Sequence, residues 1–144
     1  MSMINELERI YQKNILYFQK YYPDLYTKLS HSIQSNNYEL IVDDNNYFNI
    51  ENNSNGARLF NTNPELIAEE QVNNLLKTST NLKKVVFTGT LLGFQIEKLL
   101  LKVDIQCIMI IEPNLELFKL STFLIDYETL TKNRFSIFCI NDSD

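Results

Sequence analysis

Three short runs of apolar and largely β-branched residues recur in the second half of the chain, and helical patterns separate them. The runs cover residues 84–88, 105–111 and 134–140, and the helical patterns between them cover about 92–102 and 114–126. Near-continuous apolar strands that are joined through helices are typical of β-α-β units, in which a parallel sheet is buried on both faces. The pattern therefore predicts a parallel sheet, and it predicts burial at five positions: Val86, Ile108, Ile110, Ile137 and Phe138.

Right-handed crossovers place three such strands in the order 3-2-1, which is half of a doubly wound fold. A three-stranded half leaves a sheet edge open. Open edges favour self-association or docking onto further protein. We therefore expect the chain to be a truncated piece of a longer protein.

The first half of the chain has a different pattern. Apolar residues at helical spacing predict helices over about 3–21 and 24–34, and three short strands are expected at 38–44, 47–53 and 57–61. A further helix is expected from Pro64, with Thr62 or Asn63 as its cap. The predicted class is α/β, with N-terminal helices and small antiparallel strands in 1–62, followed by a half Rossmann-like three-stranded parallel sheet in 63–144.

The charge and the apolar content restrict the function. The 144-residue chain has a formal net charge of −5 and no run of three basic residues, which argues against a nucleic-acid partner. It lacks both a signal peptide pattern and an apolar stretch long enough to span a membrane, so a cytoplasmic location without membrane attachment is expected.

The metal-ligating and nucleophilic residues are few. Cys107 and Cys139 lie in apolar runs, where reduced and buried thiols are expected. His31 is the single histidine, so no zinc site is predicted. No Ser-His-Asp set or distinctive carboxylate pair indicates catalysis by this chain alone.

The segment VVFTGTLLGFQIE at 85–97 has the outline of a nucleotide-binding turn. Gly89 ends the first strand, Gly93 precedes a helix, and Glu112 ends the second strand where dinucleotide and S-adenosylmethionine folds hold a ribose. These three residues are the candidate cofactor-binding set. The other interpretation is structural: Leu91 and Leu92 occlude the loop, the glycines serve the turn and the packing, and Glu112 caps a helix that begins at Pro113.

Several segments resemble the motility accessory factor (Maf) proteins of flagellated bacteria. The similar segments are YYPDLYTKL at 21–29, NTNPELIAEE at 61–70, the glycine turn, and IIEPNLELFKLSTFLIDYETL at 110–130. The resemblance covers nearly the whole chain and is strongest over 85–130. The glycine turn of the family usually holds more glycine than Gly89 and Gly93 provide.

The resemblance implies a function in protein glycosylation. Proteins of this family look like glycosyltransferases that attach pseudaminic or legionaminic acid to serine and threonine of flagellin. It implies that the transferase activity lies in a central domain outside this chain, and that the remaining domains and flagellin are partners of this one. We expect this domain to be non-catalytic and to need no cofactor. The alternative class is a Rossmann-type domain that binds a nucleotide or S-adenosylmethionine.

Overall fold

A computed structural model describes residues 2–31 and 37–141. The elements follow in the order α1 (Met3–Tyr21), α2 (Pro23–His31), β1 (Tyr38–Val42), β2 (Phe48–Asn52), α3 (Pro64–Thr78), β3 (Lys84–Thr88), α4 (Phe94–Lys102), β4 (Cys107–Glu112), α5 (Leu115–Ser121), α6 (Tyr127–Thr131) and β5 (Phe135–Ile140). The predicted end of the second helix, residues 32–34, lies outside the described residues.

The parallel sheet predicted for the second half of the chain is present. Its strand order is β3-β4-β5, and both pairs of neighbours are parallel. The register aligns Phe87, Ile110 and Phe138 across the three strands. The α/β class and the half Rossmann-like sheet are therefore confirmed.

The prediction that both faces of this sheet are buried is wrong within the described residues. Ile108 and Ile110 are buried and Phe138 is half-buried, but Val86 is 55% exposed and Ile137 is 37% exposed. The chain crosses from β3 to β4 and on to β5 in one direction. Right-handed crossovers that advance in one direction place their helices on the same face of a sheet. The opposite face is therefore left exposed in this chain.

The two cysteines differ from the prediction for the same reason. Cys139 is exposed and Cys107 is half-buried. Both side chains point to the face that carries Val86 and Ile137, because side chains alternate between the two faces of a strand. Both cysteines do lie in apolar runs of the sequence, but these runs do not place them in the core.

The core lies between the covered face of the sheet and the helices, and α1 contributes to it. The ring of Phe18 is fully buried and lies 6.0 Å from the ring of Phe118 and 5.4 Å from the ring of Phe138. Aromatic side chains of the N-terminal helix thus pack directly against α5 and β5. The predicted division of the chain into 1–62 and 63–144 stays a prediction.

The N-terminal strands form one hairpin, in which β1 and β2 pair antiparallel. A third strand expected at 57–61 is reduced to a single bridge between Glu51 and Arg58. The buried side chain of Asn49 replaces further strand pairing, because its amide donates to the carbonyl of Phe60 and its oxygen accepts from the Phe60 N–H. Side-chain bonding of this kind satisfies the backbone without a ladder.

Two helices of the second half also test the sequence patterns. Asn63 caps α3, and Pro64 is its first residue, as expected. The single helix predicted over 114–126 is instead α5 followed by α6, with an irregular segment at 122–126. The buried Asn14 of α1 bonds the backbone of this segment, which compensates for the helical hydrogen bonds that the break removes.

Candidate functional site

The turn between β3 and α4 is built from residues with left-handed backbone geometry. Gly89 has φ of 86°, Leu91 has φ of 45° and Gly93 has φ of 83°. Glycine adopts this region without steric cost, whereas a leucine is strained there. Gly93 is also the N-cap residue of α4, which has no side-chain cap.

The two glycines meet different surroundings. A Cβ atom at Gly93 would lie 2.6 Å from Cγ1 of the buried Ile125, whereas a Cβ atom at Gly89 would meet nothing within 4 Å. Gly93 is therefore required by both backbone geometry and close packing, and Gly89 by backbone geometry alone.

Glu112 lies beside the turn, as the sequence predicts, and its carboxylate is held by three donors. Oε1 accepts from the backbone N–H of Thr90 at 2.7 Å and from the Thr90 hydroxyl at 2.9 Å. Oε2 accepts from the N–H of Asn114 at 3.0 Å. The Glu112 side chain is 3% exposed, so the structure holds a buried carboxylate that is hydrogen-bonded on both oxygens.

The helix after β4 begins later than predicted. Its N-cap is Asn114, whose side chain accepts from the N–H groups of Glu116 and Leu117. Glu112 therefore does not cap a helix that starts at Pro113. It bonds instead to the N–H of the capping residue, because the chain needs two further residues to turn from the strand into the helix.

Much of the hydrogen-bonding capacity of the turn is used inside the protein. The N–H of Gly89 donates to the carbonyl of Ile111 at 2.7 Å, the N–H of Thr90 donates to Glu112, and the N–H of Gly93 donates to the carbonyl of Thr90 at 2.6 Å. A phosphate cradle needs successive N–H groups that point at one ligand. These three N–H groups point at protein acceptors.

A cavity of about 290 Å³ adjoins the turn at the β3 edge of the sheet. Gly89 and Leu91 line it together with the polar side chains of Gln71, Thr88 and Gln95. Neither Gly93 nor Glu112 is among its lining residues. The structure thus brings the three predicted residues to one turn but places only Gly89 at the cavity.

Sequence reasoning missed Thr90 and Gln95. Thr90 is fully buried and supplies two of the three donors to Glu112. The Gln95 amide donates to the carbonyls of Gly89 and Thr90, each at 3.3 Å. A small hydroxyl residue after a strand-ending glycine is the available signal for Thr90, but its partner is 22 residues away.

No group of three or more His, Cys, Asp or Glu side chains in the part of the chain that the structure describes could hold a metal ion. His31 is exposed at the end of α2. In residues 2–31 and 37–141, no helix combines the length and apolar character that crossing a membrane requires.

A comparison with protein families identifies one match. The family model for the glycosyltransferase Maf N-terminal domain matches residues 10–83 and 76–134. No curated protein matches the chain by sequence.

A solved structure has the same fold. It is described as the structure of MAf glycosyltransferase from Magnetospirillum magneticum AMB-1, and it superposes with a TM-score of 0.67 at 18% identity. The match covers 94% of this chain and 28% of that chain. The present chain thus spans little more than a quarter of the length of that glycosyltransferase, and at this identity the likeness shows the fold alone.

Proposed function

The chain belongs to the glycosyltransferase Maf N-terminal domain family, and we propose that it is the non-catalytic N-terminal domain of a Maf-type glycosyltransferase. The observation that carries the proposal is the family match, whose two segments together extend from residue 10 to residue 134. The matching fold of the Magnetospirillum glycosyltransferase supports it.

The proposal includes the substrates that the family resemblance implies. The full-length protein would transfer pseudaminic or legionaminic acid to serine or threonine of flagellin, in the cytoplasm. This domain would serve its architecture, its assembly or the docking of flagellin. The arrangement of Glu112 supports a non-catalytic role, since a carboxylate with donors on both oxygens is poorly placed to accept a proton from a substrate hydroxyl.

The test compares three proteins: the full-length glycosyltransferase, the same protein without this domain, and the isolated 144-residue chain. Each is incubated with purified flagellin and a CMP-activated nonulosonic acid, and modified flagellin peptides are measured by mass spectrometry. We expect transfer by the full-length protein and none by the isolated chain. Transfer by the isolated chain would refute the non-catalytic role, and an inactive full-length protein would refute the proposed substrates.

A ligand-binding role for the glycine turn is the second candidate function. The cavity beside Gly89 favours it, because Thr88, Gln71 and Gln95 offer polar groups at a concave site. The occupied carboxylate of Glu112 and the bonded N–H groups of the turn favour a structural role instead. We therefore propose that the turn is mainly structural in the isolated chain.

Calorimetric titration of the isolated chain with S-adenosylmethionine, NAD and a CMP-linked sugar distinguishes these roles. We expect no binding tighter than about 100 μM, which is roughly −5.5 kcal/mol. Tighter binding that Thr88→Val and Gln95→Leu abolish would promote the nucleotide-binding function. Leu66→Ala, on the exposed surface of α3, is the control.

A further inference from the structure

The exposed face of the parallel sheet has the composition of a protein core. We call it the outer face, and it consists of positions 84, 86 and 88 of β3, positions 107, 109 and 111 of β4, and positions 135, 137 and 139 of β5. Seven of these nine positions are Val, Ile, Met, Phe or Cys. Phe135 is 66% exposed and Val86 is 55% exposed.

The strand register arranges the outer face in three rows that run across the sheet. The middle row is Val86, Met109 and Ile137, and it lies between the rows that end in Phe135 and Cys139. From strand spacing and rise, three strands of five residues make a surface roughly 14 Å wide and roughly 17 Å long. That surface fits one helix of about three turns, which is about 16 Å long and 10–12 Å in diameter.

An open face of this kind is unusual for a parallel sheet. Parallel sheets occur almost exclusively with both faces covered, usually by helices. The outer face also continues into the cavity beside the turn, because Val86 and Thr88 belong to both. The apolar surface that a covering helix would bury thus extends past the β3 edge of the sheet.

We propose that an amphipathic helix from the remainder of the full-length Maf glycosyltransferase covers the outer face. This inference rests on the proposed function, in which the chain is one domain of a longer protein. The solved Maf glycosyltransferase supplies such a remainder, because the match covers only 28% of its chain. In a doubly wound fold, the crossover that reverses direction places the next helix on this face. Lys84, exposed at the margin of the outer face, suits an acidic residue beside the apolar stripe of that helix.

The accessibility of Cys139 reports whether the outer face is covered, because Cys139 is an exposed thiol on that face. The rate of maleimide labelling at Cys139 is measured by peptide mass spectrometry in the isolated 144-residue chain and in the full-length glycosyltransferase. We expect labelling to be at least tenfold slower in the full-length protein. Equal rates in the two proteins would overturn the proposal.

Two variants of the full-length protein locate the cover. Ile137→Asp places a charge in the middle row and is expected to restore fast labelling of Cys139. Leu101→Asp changes a leucine that is 70% exposed on α4, outside the sheet, and is expected to preserve protection. Circular dichroism of the isolated Ile137→Asp chain checks that the variant is folded. If it is folded and Cys139 is still protected in the full-length Ile137→Asp protein, the proposal is overturned.

The isolated chain tests whether a second copy of the same chain, rather than a helix of the full-length protein, covers the outer face. Labelling of Cys139 that slows as the concentration of the isolated chain rises would assign the face to a second copy and would overturn the proposal. We expect a rate that does not depend on concentration in the micromolar range. The readout needs no transferase activity. Protection of Cys139 in a full-length protein that does not modify flagellin would therefore refute the proposed substrates and leave this inference standing.

Discussion

The carboxylate of Glu112 accepts two hydrogen bonds from Thr90, one from its backbone N–H and one from its hydroxyl. Both residues are buried. Glu112 is the last residue of β4, and Thr90 lies in the turn that follows the neighbouring parallel strand β3. The pair therefore links the turn after β3 to the end of β4. The position that holds a ribose in dinucleotide-binding folds is used here for a contact within the protein.

Glu112→Gln should lower the free energy of unfolding by about 1 to 3 kcal/mol, since one carboxylate oxygen becomes an amide donor that faces the Asn114 N–H. Glu112→Ala should cost more, because it leaves the Thr90 N–H buried without this acceptor. Urea unfolding measures both changes. Glu70→Gln, on the exposed surface of α3, is the control and should stay within about 0.5 kcal/mol of wild type. Equal stability of Glu112→Ala and wild type would contradict a structural role for the carboxylate.

The two glycines of the turn should respond differently to alanine. Gly89→Ala should cost about 1 to 2 kcal/mol, the usual strain of a left-handed residue. Gly93→Ala should cost more, because its Cβ would also collide with Ile125. In a double-mutant cycle with Ile125→Ala, the combined cost should be smaller than the sum of the single costs. Thermal unfolding of the four proteins measures this coupling, and additive costs would show that the collision is relieved in another way.

Asn14 should be among the most sensitive positions of α1. Its amide group donates to the carbonyls of Thr122 and Ile125, and its oxygen accepts from the Tyr127 N–H. Asn14→Asp should destabilise the protein by about 3 kcal/mol or more at pH 7, since a buried carboxylate would face two carbonyl oxygens. Urea unfolding is the measurement, and Leu16→Asn, at a position of α1 that is 65% exposed, is the control.

The pH dependence of Asn14→Asp is a further check on the same contact. Protonation at low pH would restore one donor to the side chain. The stability difference from wild type should therefore shrink as the pH falls below about 5. A difference that does not vary with pH would indicate that the aspartate has moved away from the two carbonyl groups.

Tyr17 should make the protein sensitive to alkaline pH. Burial raises the pKa of Tyr17 to about 12, from an ordinary value of 10.0. The pKa of Tyr17 is higher in the folded than in the unfolded protein. Tyr17 therefore contributes to the free energy of unfolding below pH 10, and this contribution is lost as the pH rises toward 12. Tyr17→Phe should therefore lose stability less steeply than wild type between pH 10 and pH 12, as measured by urea unfolding at several pH values.

The same variant should cost about 1 kcal/mol at pH 7, because it removes the 2.7 Å hydrogen bond between the Tyr17 hydroxyl and Thr131. The cost stays small because the Thr131 hydroxyl still donates to the carbonyl of Tyr127. Tyr21→Phe changes an exposed tyrosine on the same helix and should keep wild-type stability at pH 7. If the free energy of unfolding of Tyr17→Phe falls as steeply as that of wild type between pH 10 and pH 12, then Tyr17 is not the source of the alkaline sensitivity.

The sequence by itself determined the local elements and their order. The apolar runs at 84–88, 105–111 and 134–140 predict parallel strands, because near-continuous apolar strands that alternate with helical patterns are typical of β-α-β units. Asn63 and Pro64 mark the start of α3, because capping depends on neighbouring residues alone. The spacing of Gly89, Gly93 and Glu112 likewise predicts that they meet at one turn.

Only the tertiary structure decided which face of the sheet is covered and what Glu112 binds. The runs are apolar on both faces, so their pattern cannot tell that Val86 and Ile137 are exposed while Ile108 and Ile110 are buried. Asn14 lies more than 100 positions before the segment it bonds, and Glu112 lies 22 positions after its partner Thr90. Contacts of this range depend on how the helices pack on the sheet, and no local spacing in the sequence encodes them.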